Sequence, residues 1–308
     1  MARLDCDWHG ENARAFAAMR HPALSFRPAS VLGVEHIMEL LQLGRQRPPH
    51  EKWWLVFMGQ HPQALAGTWG KLGPLLRKLG IHVLYYAFDE ASRTMDCFLE
   101  LAPHLDVLIH DEAPLTPEAH ARLRRECREI HRSWVANIVP FSVPFVEEPE
   151  RAIVFLGSKL GLTPHRQRQI AFLQAKFKNC FYAFHDHSVA VADRGRLNRY
   201  KVSLCPEGRK FATRAMSETH TDRPFWSGCL GMSPVSEDSA AGGRLEELHR
   251  EGLILRYPHG DLSVLAERCE QALELGIAER RRIYSHFNRE ETVGTVVANL
   301  IAESLRTP

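Results

Sequence analysis

The sequence predicts an α/β fold with two parallel, doubly wound sheets, and three observations carry that prediction. Short apolar runs rich in β-branched and aromatic residues recur along the 308 residues, each of a length that suits one strand. Stretches with helical spacing lie between them, and strands that alternate with helices form parallel sheets covered on both faces. The alternation pauses once, in the proline-rich and charged FSVPFVEEPERA (141–152), and then restarts with a new first strand. Two domains follow, 1–150 and 151–308, each Rossmann-like, with a cleft expected between them.

WWLVFMG (53–59), IHVLYYAF (81–88), DVLIH (106–110) and WVANIVPF (134–141) are the expected strands of the first domain. GKLGPLLRKLG (70–80) and TPEAHARLRRECREIH (116–131) show helical spacing between them. Beyond the pause, AIVFLGS, CFYAFH, YKVSLCP, GMSPVS and LILRY are expected strands, with HRQRQIAFLQAKF as a helix after the first. The tail from DLSVL to AESL reads as two or three closing helices.

Composition excludes several classes of function. Apolar residues make up 44% and charged residues 25%, the proportions of a soluble globular protein. No uninterrupted apolar run is long enough to cross a bilayer. The opening MARLDCDWHGENARAF has no apolar core of a secretory signal. A net charge of +2 argues against bulk nucleic-acid binding, and clusters such as RLRRECR read as solvated helix faces. Seven cysteines without close pairs suit reduced thiols and a cytoplasmic location. Among seventeen histidines, HDH at 185–187 offers two imidazoles on one strand face, an incomplete ligand set. No metal and no cofactor is expected.

Ligands of open parallel sheets sit beyond the carboxyl ends of the strands, so polar residues that follow strands are the candidates. Gly157 and Ser158 end one strand, and Thr163-Pro164 then starts a helix with Arg166 in its first turn. Free N–H groups at a helix start favour anions, and an arginine adds a bidentate partner. An ordinary strand–loop–helix with surface arginines reads the same way. Neither GxGxxG nor GxxxxGK[ST] occurs. Glu207 follows YKVSLCP, where a carboxylate can accept two ribose hydroxyls or simply occupy a turn. Arg223, after Thr221 and Asp222, can clamp a diphosphate or neutralise its neighbour, and Pro224 marks a helix start. Asp89-Glu90 ends the longest apolar strand of the first half, a position for a general base or for a surface turn. His9 and Asp111-Glu112 are weaker competitors for that role.

In order and spacing these residues resemble the GT-B glycosyltransferases, most nearly the α-1,3-fucosyltransferase family. That family's YKFxLxFEN strand is matched by Tyr200, Lys201, Leu204 and Glu207, its TEK triplet by TDR (221–223), and its Gly-x-x-Pro-Val step by GMSPV (231–235). LYYAFDE is similar to the strand that ends in the family's proposed catalytic carboxylate, which falls on Asp89. DWHGENARAF is similar to its N-terminal Trp-x-Gly-acid segment, and FLGSKLGLTPHR to its diphosphate element, with Arg166 the match. Pro206 and Gly208 depart from Phe-Glu-Asn and look more like the exostosin group, Arg223 replaces a lysine, and the closing helices are similar to spore-maturation-type glycosyltransferases. A retaining enzyme's glutamate would fall on Ser227, so the resemblance implies inversion. It implies transfer, without an obligatory metal, from a nucleotide sugar, with a GDP-sugar (GDP-fucose in the family) favoured, to a glycan or other hydroxyl-bearing acceptor. The implied donor site is Gly157, Ser158, Arg166, Glu207, Thr221, Asp222 and Arg223, with Asp89 or Glu90 as base. Two other readings stay open: a GT-B-like subunit that binds nucleotide or glycan without turnover, and a nucleotide-sugar epimerase.

Overall fold

A computed structural model of the chain describes residues 34–59, 63–87, 95–110, 117–131, 143–157, 163–184, 195–206, 223–238 and 244–306. The described residues fall in two compact units, one within Ala29–Ser133 and one within Trp134–Pro308. Each is α/β with a wholly parallel sheet among the described strands.

In the first unit, helix α1 (Val34–Arg45) precedes strand β1 (Trp53–Gly59), helix α2 (Gln63–Lys78) and strand β2 (Ile81–Ala87). Helix α3 (Met95–Leu101), strand β3 (Val107–His110), helix α4 (Pro117–Glu126) and strand β4 (Arg128–His131) complete it. The sheet order is β1-β2-β3-β4. Residues two apart share a sheet face, and Leu55, Val83, Tyr85 and Leu108 present one apolar face. Against it pack Leu72 and Leu76 of α2, Phe98 and Leu101 of α3, and Leu123 of α4. The strands match WWLVFMG, IHVLYYA and VLIH; WVANIVPF lies outside the described residues.

One stretch differs from its sequence reading. Residues 116–131 carry a continuous helical pattern, yet the helix stops at Glu126 and Arg128–His131 pairs with β3, Leu108 opposite Glu129. The cause is tertiary. Glu129 has a side chain only 1% exposed and is held by His110, His120 and Arg124. Three anchors on one buried carboxylate override a weak helical preference.

The second unit runs strand β5 (Glu150–Leu156), helix α5 (Pro164–Phe177), strand β6 (Phe181–Phe184), strand β7 (Tyr200–Cys205) and helix α6 (Arg223–Cys229). Strand β8 (Ser233–Glu237), helix α7 (Arg244–Arg250), strand β9 (Leu255–Tyr257) and helices α8 (Leu262–Glu274), α9 (Ile277–Arg289) and α10 (Val293–Arg306) follow. The sheet order is β6-β5-β7-β8-β9. Strand β5 is buried on both faces, which is why AIVFL reads as an unbroken apolar run. Its Ile153 and Phe155 join Val202, Leu204 and Val235 beneath Ile170 and Leu173 of α5 and Leu265 and Cys269 of α8. Its Ala152, Val154 and Leu156 face Leu197 and, from the α6 region, Trp226 and Leu230. Helices on both faces make this sheet doubly wound.

Residues of the proline-rich pause pack on α9. Buried Arg280 donates to the carbonyls of Glu147 (3.0 Å) and Val146 (2.6 Å), and its guanidinium lies over the Phe145 ring. Tyr284 Oη donates to the carbonyl of Val143 at 2.8 Å. Pairing of this kind is what allows a cation to be buried at all.

Candidate functional site

The second sheet has a topological switch point. The chain leaves β5 to form β6 on one side and returns to form β7 on the other, so the crossovers diverge above the carboxyl ends of β5 and β7. Open α/β sheets bind ligands at such a point. No order reversal occurs among the described strands of the first sheet.

Three sequence-predicted residues are described, and all three lie at this edge. Gly157 directly follows β5, and its N–H donates to the Phe184 carbonyl of β6 at 3.0 Å. A Cβ there would lie 2.4 Å from Cζ of the buried Phe155 ring, so the position accepts no side chain without repacking. Arg223, the first residue of α6, donates through Nε to the Leu156 carbonyl at 3.1 Å, with its guanidinium carbon 5.9 Å from the Phe155 ring centroid. Arg166 is 4% exposed and donates through a terminal N–H to the Pro206 carbonyl at 3.3 Å. Pro206 is the residue that follows β7.

Local sequence explains the placement of Arg166. Thr163 caps α5, its hydroxyl accepting the Arg166 N–H at 3.2 Å, and Pro164 occupies the first helical position. The cap fixes where the first turn starts and hence which residue points along the sheet edge. Two guanidiniums are thereby tied to the terminal carbonyls of adjacent strands. Such ties orient planar donors whose geometry matches phosphate oxygens. Asp89, Glu90, Ser158, Glu207, Thr221 and Asp222 lie outside the described residues, as do His9, Asp111-Glu112 and the HDH segment.

Other members of the recognisable motifs are scaffold. Tyr200 is buried, Leu204 is in the core, and Lys201 donates to the Leu273 carbonyl at the end of α8 (2.6 Å). Gly231 stops α6: its φ is +77°, its N–H donates to the Gly228 carbonyl (2.9 Å), and the Met232 N–H reaches the Ser227 carbonyl (3.1 Å). That is a Schellman stop, which favours glycine for its left-handed conformation. Val235 of the Pro-Val step is core.

Two groups of titratable side chains escaped the sequence reading. His110, His120 and Glu129 form one; His165, Glu237 and His259 form the other, on the second sheet's carboxyl edge beside Arg166. Their members are far apart in sequence, so no motif spacing announces them.

No protein-family model matches the chain, and no curated protein matches it. Solved structures do. The accessory secretory protein 1, 2 and 3 structure from Streptococcus pneumoniae aligns over 87% of this chain and 56% of that one, at 9% identity and a TM-score of 0.47. This chain therefore spans little more than half of that protein's length. A spinosyn rhamnosyltransferase complexed with spinosyn aglycone aligns over 87% and 82%, at 9% identity and a TM-score of 0.43. A lipopolysaccharide outer core galactosyltransferase in its apo form aligns over 92% and 85%, at 11% identity and 0.39. Likeness at this level carries no argument about chemistry.

Proposed function

We propose that the chain is a GT-B-type glycosyltransferase whose second unit binds the diphosphate of a nucleotide sugar at the β5/β7 switch point. The observation that supports it most is the pairing of Arg166 and Arg223 on the carbonyls of Pro206 and Leu156, beside a glycine that leaves no room for a side chain. In this reading the arginines hold the diphosphate and stabilise its charge as it leaves, as preorganised cations do. Gly157 and Ser158 let the backbone approach the phosphates. Glu207 accepts the ribose hydroxyls, with Thr221 and Asp222 beside it. The first unit takes the acceptor, and Asp89, or Glu90 next to it, removes the proton of the attacking hydroxyl. Displacement in line gives inversion. The step needs no divalent ion, and the motif resemblance favours a GDP-sugar donor.

The test is turnover by purified protein with nucleotide sugars, read as nucleoside diphosphate release and product anomeric configuration. Asp89→Asn is expected to lower kcat by about 10²–10⁴-fold, the usual contribution of a positioned base, with nucleotide affinity unchanged. Near wild-type turnover in Asp89→Asn moves the base to Glu90 or His9. Nucleotide binding without any turnover supports the non-catalytic reading.

A further inference from the structure

The carboxyl edge of the second sheet carries a second constellation that the sugar-transfer reading does not use. Glu237 ends β8, and its side chain is fully buried. Four nitrogens converge on one of its oxygens, Oε1. His165 Nε2 lies 2.6 Å away, Gln169 Nε2 2.9 Å, His259 Nδ1 3.0 Å and the Gly260 backbone N 3.1 Å. The imidazoles of His165 and His259 stack, with centroids 4.2 Å apart and planes 21° apart, and their ligand nitrogens and the Glu237 oxygen all lie within 4.8 Å of one another.

Each member is held before any ligand arrives. His165 is the second residue of α5, placed by the Thr163 cap. His259 occupies a turn from Pro258 to Asp261, closed by the Asp261 N–H on the Pro258 carbonyl (3.1 Å) with Gly260 at φ +76°. A positive φ at the third residue is what a type II turn requires. Asp261 then caps α8 through bonds from Ser263 and Val264. Gln169, which supports Glu237, accepts in turn from Tyr257 Oη at 3.2 Å. Outer partners of this kind orient ligands in built metal sites.

We infer that His165, Glu237 and His259 hold one divalent transition-metal ion, zinc by the donor set of two imidazoles and a carboxylate. A tetrahedral zinc sets its ligand atoms about 3.3 Å apart, so the 2.6 and 3.0 Å separations to Glu237 widen by less than an ångström each, the His165 one more than the His259 one. Gln169 and Gly260 remain as donors to the carboxylate when the imidazoles turn to the ion. The side chains of His165 and His259 are 19% and 45% exposed, which gives the ion a path in and leaves a coordination position for water or an anionic oxygen. The His110–His120–Glu129 group is the weaker candidate. Its carboxylate already receives the Arg124 guanidinium on Oε2 at 3.0 Å, and the set serves to anchor β4.

The site stands independently of the sugar-transfer reading, because its readout is metal occupancy and not turnover. Full-length protein stripped with EDTA and desalted is titrated with zinc chloride by calorimetry, and with cobalt(II) by visible absorption. Wild type is expected to take up zinc at a site that His259→Ala weakens at least 100-fold, beyond the loss that an outer partner causes. The cobalt bands of a site with nitrogen and oxygen ligands should vanish in the same variant. His259 is half-exposed, so its loss leaves the fold intact; Glu237→Gln, checked by circular dichroism, is the second variant. Failure of wild type to bind zinc below millimolar concentration overturns the proposal. So does binding that survives His259→Ala and is lost in His120→Ala.

Discussion

Gly157 is where backbone, packing and proposed ligand meet. The clash of an added Cβ with the Phe155 ring would be severe, and that ring also lies beneath the Arg223 guanidinium. Gly157→Ala must therefore push Phe155 and, with it, the arginine. Overpacking of a tight core costs about 1–3 kcal/mol. A fall of that size in unfolding free energy, with weaker nucleotide binding in the same variant, is the expected outcome. An Ala variant with unchanged denaturant midpoint would show that the ring yields freely. Gly231 is required for a different reason, its positive φ in a helix stop. A recognisable motif thus mixes residues proposed to face a ligand with residues that hold the chain.

Among the elements, the junction of α7, α9 and α10 carries a titratable lock. Glu291, between α9 and α10, accepts from Arg244 Nε of α7 at 2.9 Å and lies 3.1 Å from His286 Nε2 of α9. Burial opposes ionisation of Glu291, but the hydrogen bonds of His286 and Arg244 outweigh it and hold the carboxyl below its usual range. A lowered folded-state value means that this stability is present above the unfolded value and is lost as pH falls through the folded one. Urea midpoints measured from pH 7 down to pH 3 should therefore fall less steeply for Glu291→Gln than for wild type. Arg244→Met, which leaves the buried carboxylate without its guanidinium and with His286 as its remaining named partner, is expected to cost about 3 kcal/mol at pH 7. Parallel pH curves for wild type and Glu291→Gln would remove the lock.

The strands show how far sequence reading reaches. β5 and β7 are legible because burial on both faces makes their apolar runs continuous. The start of α5 is legible because Thr163-Pro164 is a local signal, and it located Arg166. β4 is not legible, because a carboxylate anchored from other elements made it. The His165–Glu237–His259 group is invisible for the same reason: only the parallel order of β5, β7, β8 and β9 brings a helix start, a strand end and a turn together.

For the whole molecule, a small net charge of +2 leaves recognition to local constellations and not to a broad field. No helix among the described residues is long and apolar enough to cross a membrane. The switch point of the second sheet is the proposed binding site for a nucleoside diphosphate. The most direct test is the melting temperature of full-length protein with GDP, UDP, CDP, dTDP and ADP, each with and without EDTA, in wild type and Arg223→Ala. A ligand of the folded state adds about 2.7 kcal/mol at a hundredfold excess over Kd. One nucleoside diphosphate, GDP by the motif resemblance, should raise the melting temperature of wild type and much less that of Arg223→Ala. EDTA should lower the baseline by emptying the Glu237 site and leave the nucleotide increment unchanged. Melting curves that no nucleoside diphosphate moves, or an increment that Arg223→Ala leaves intact, would contradict the account.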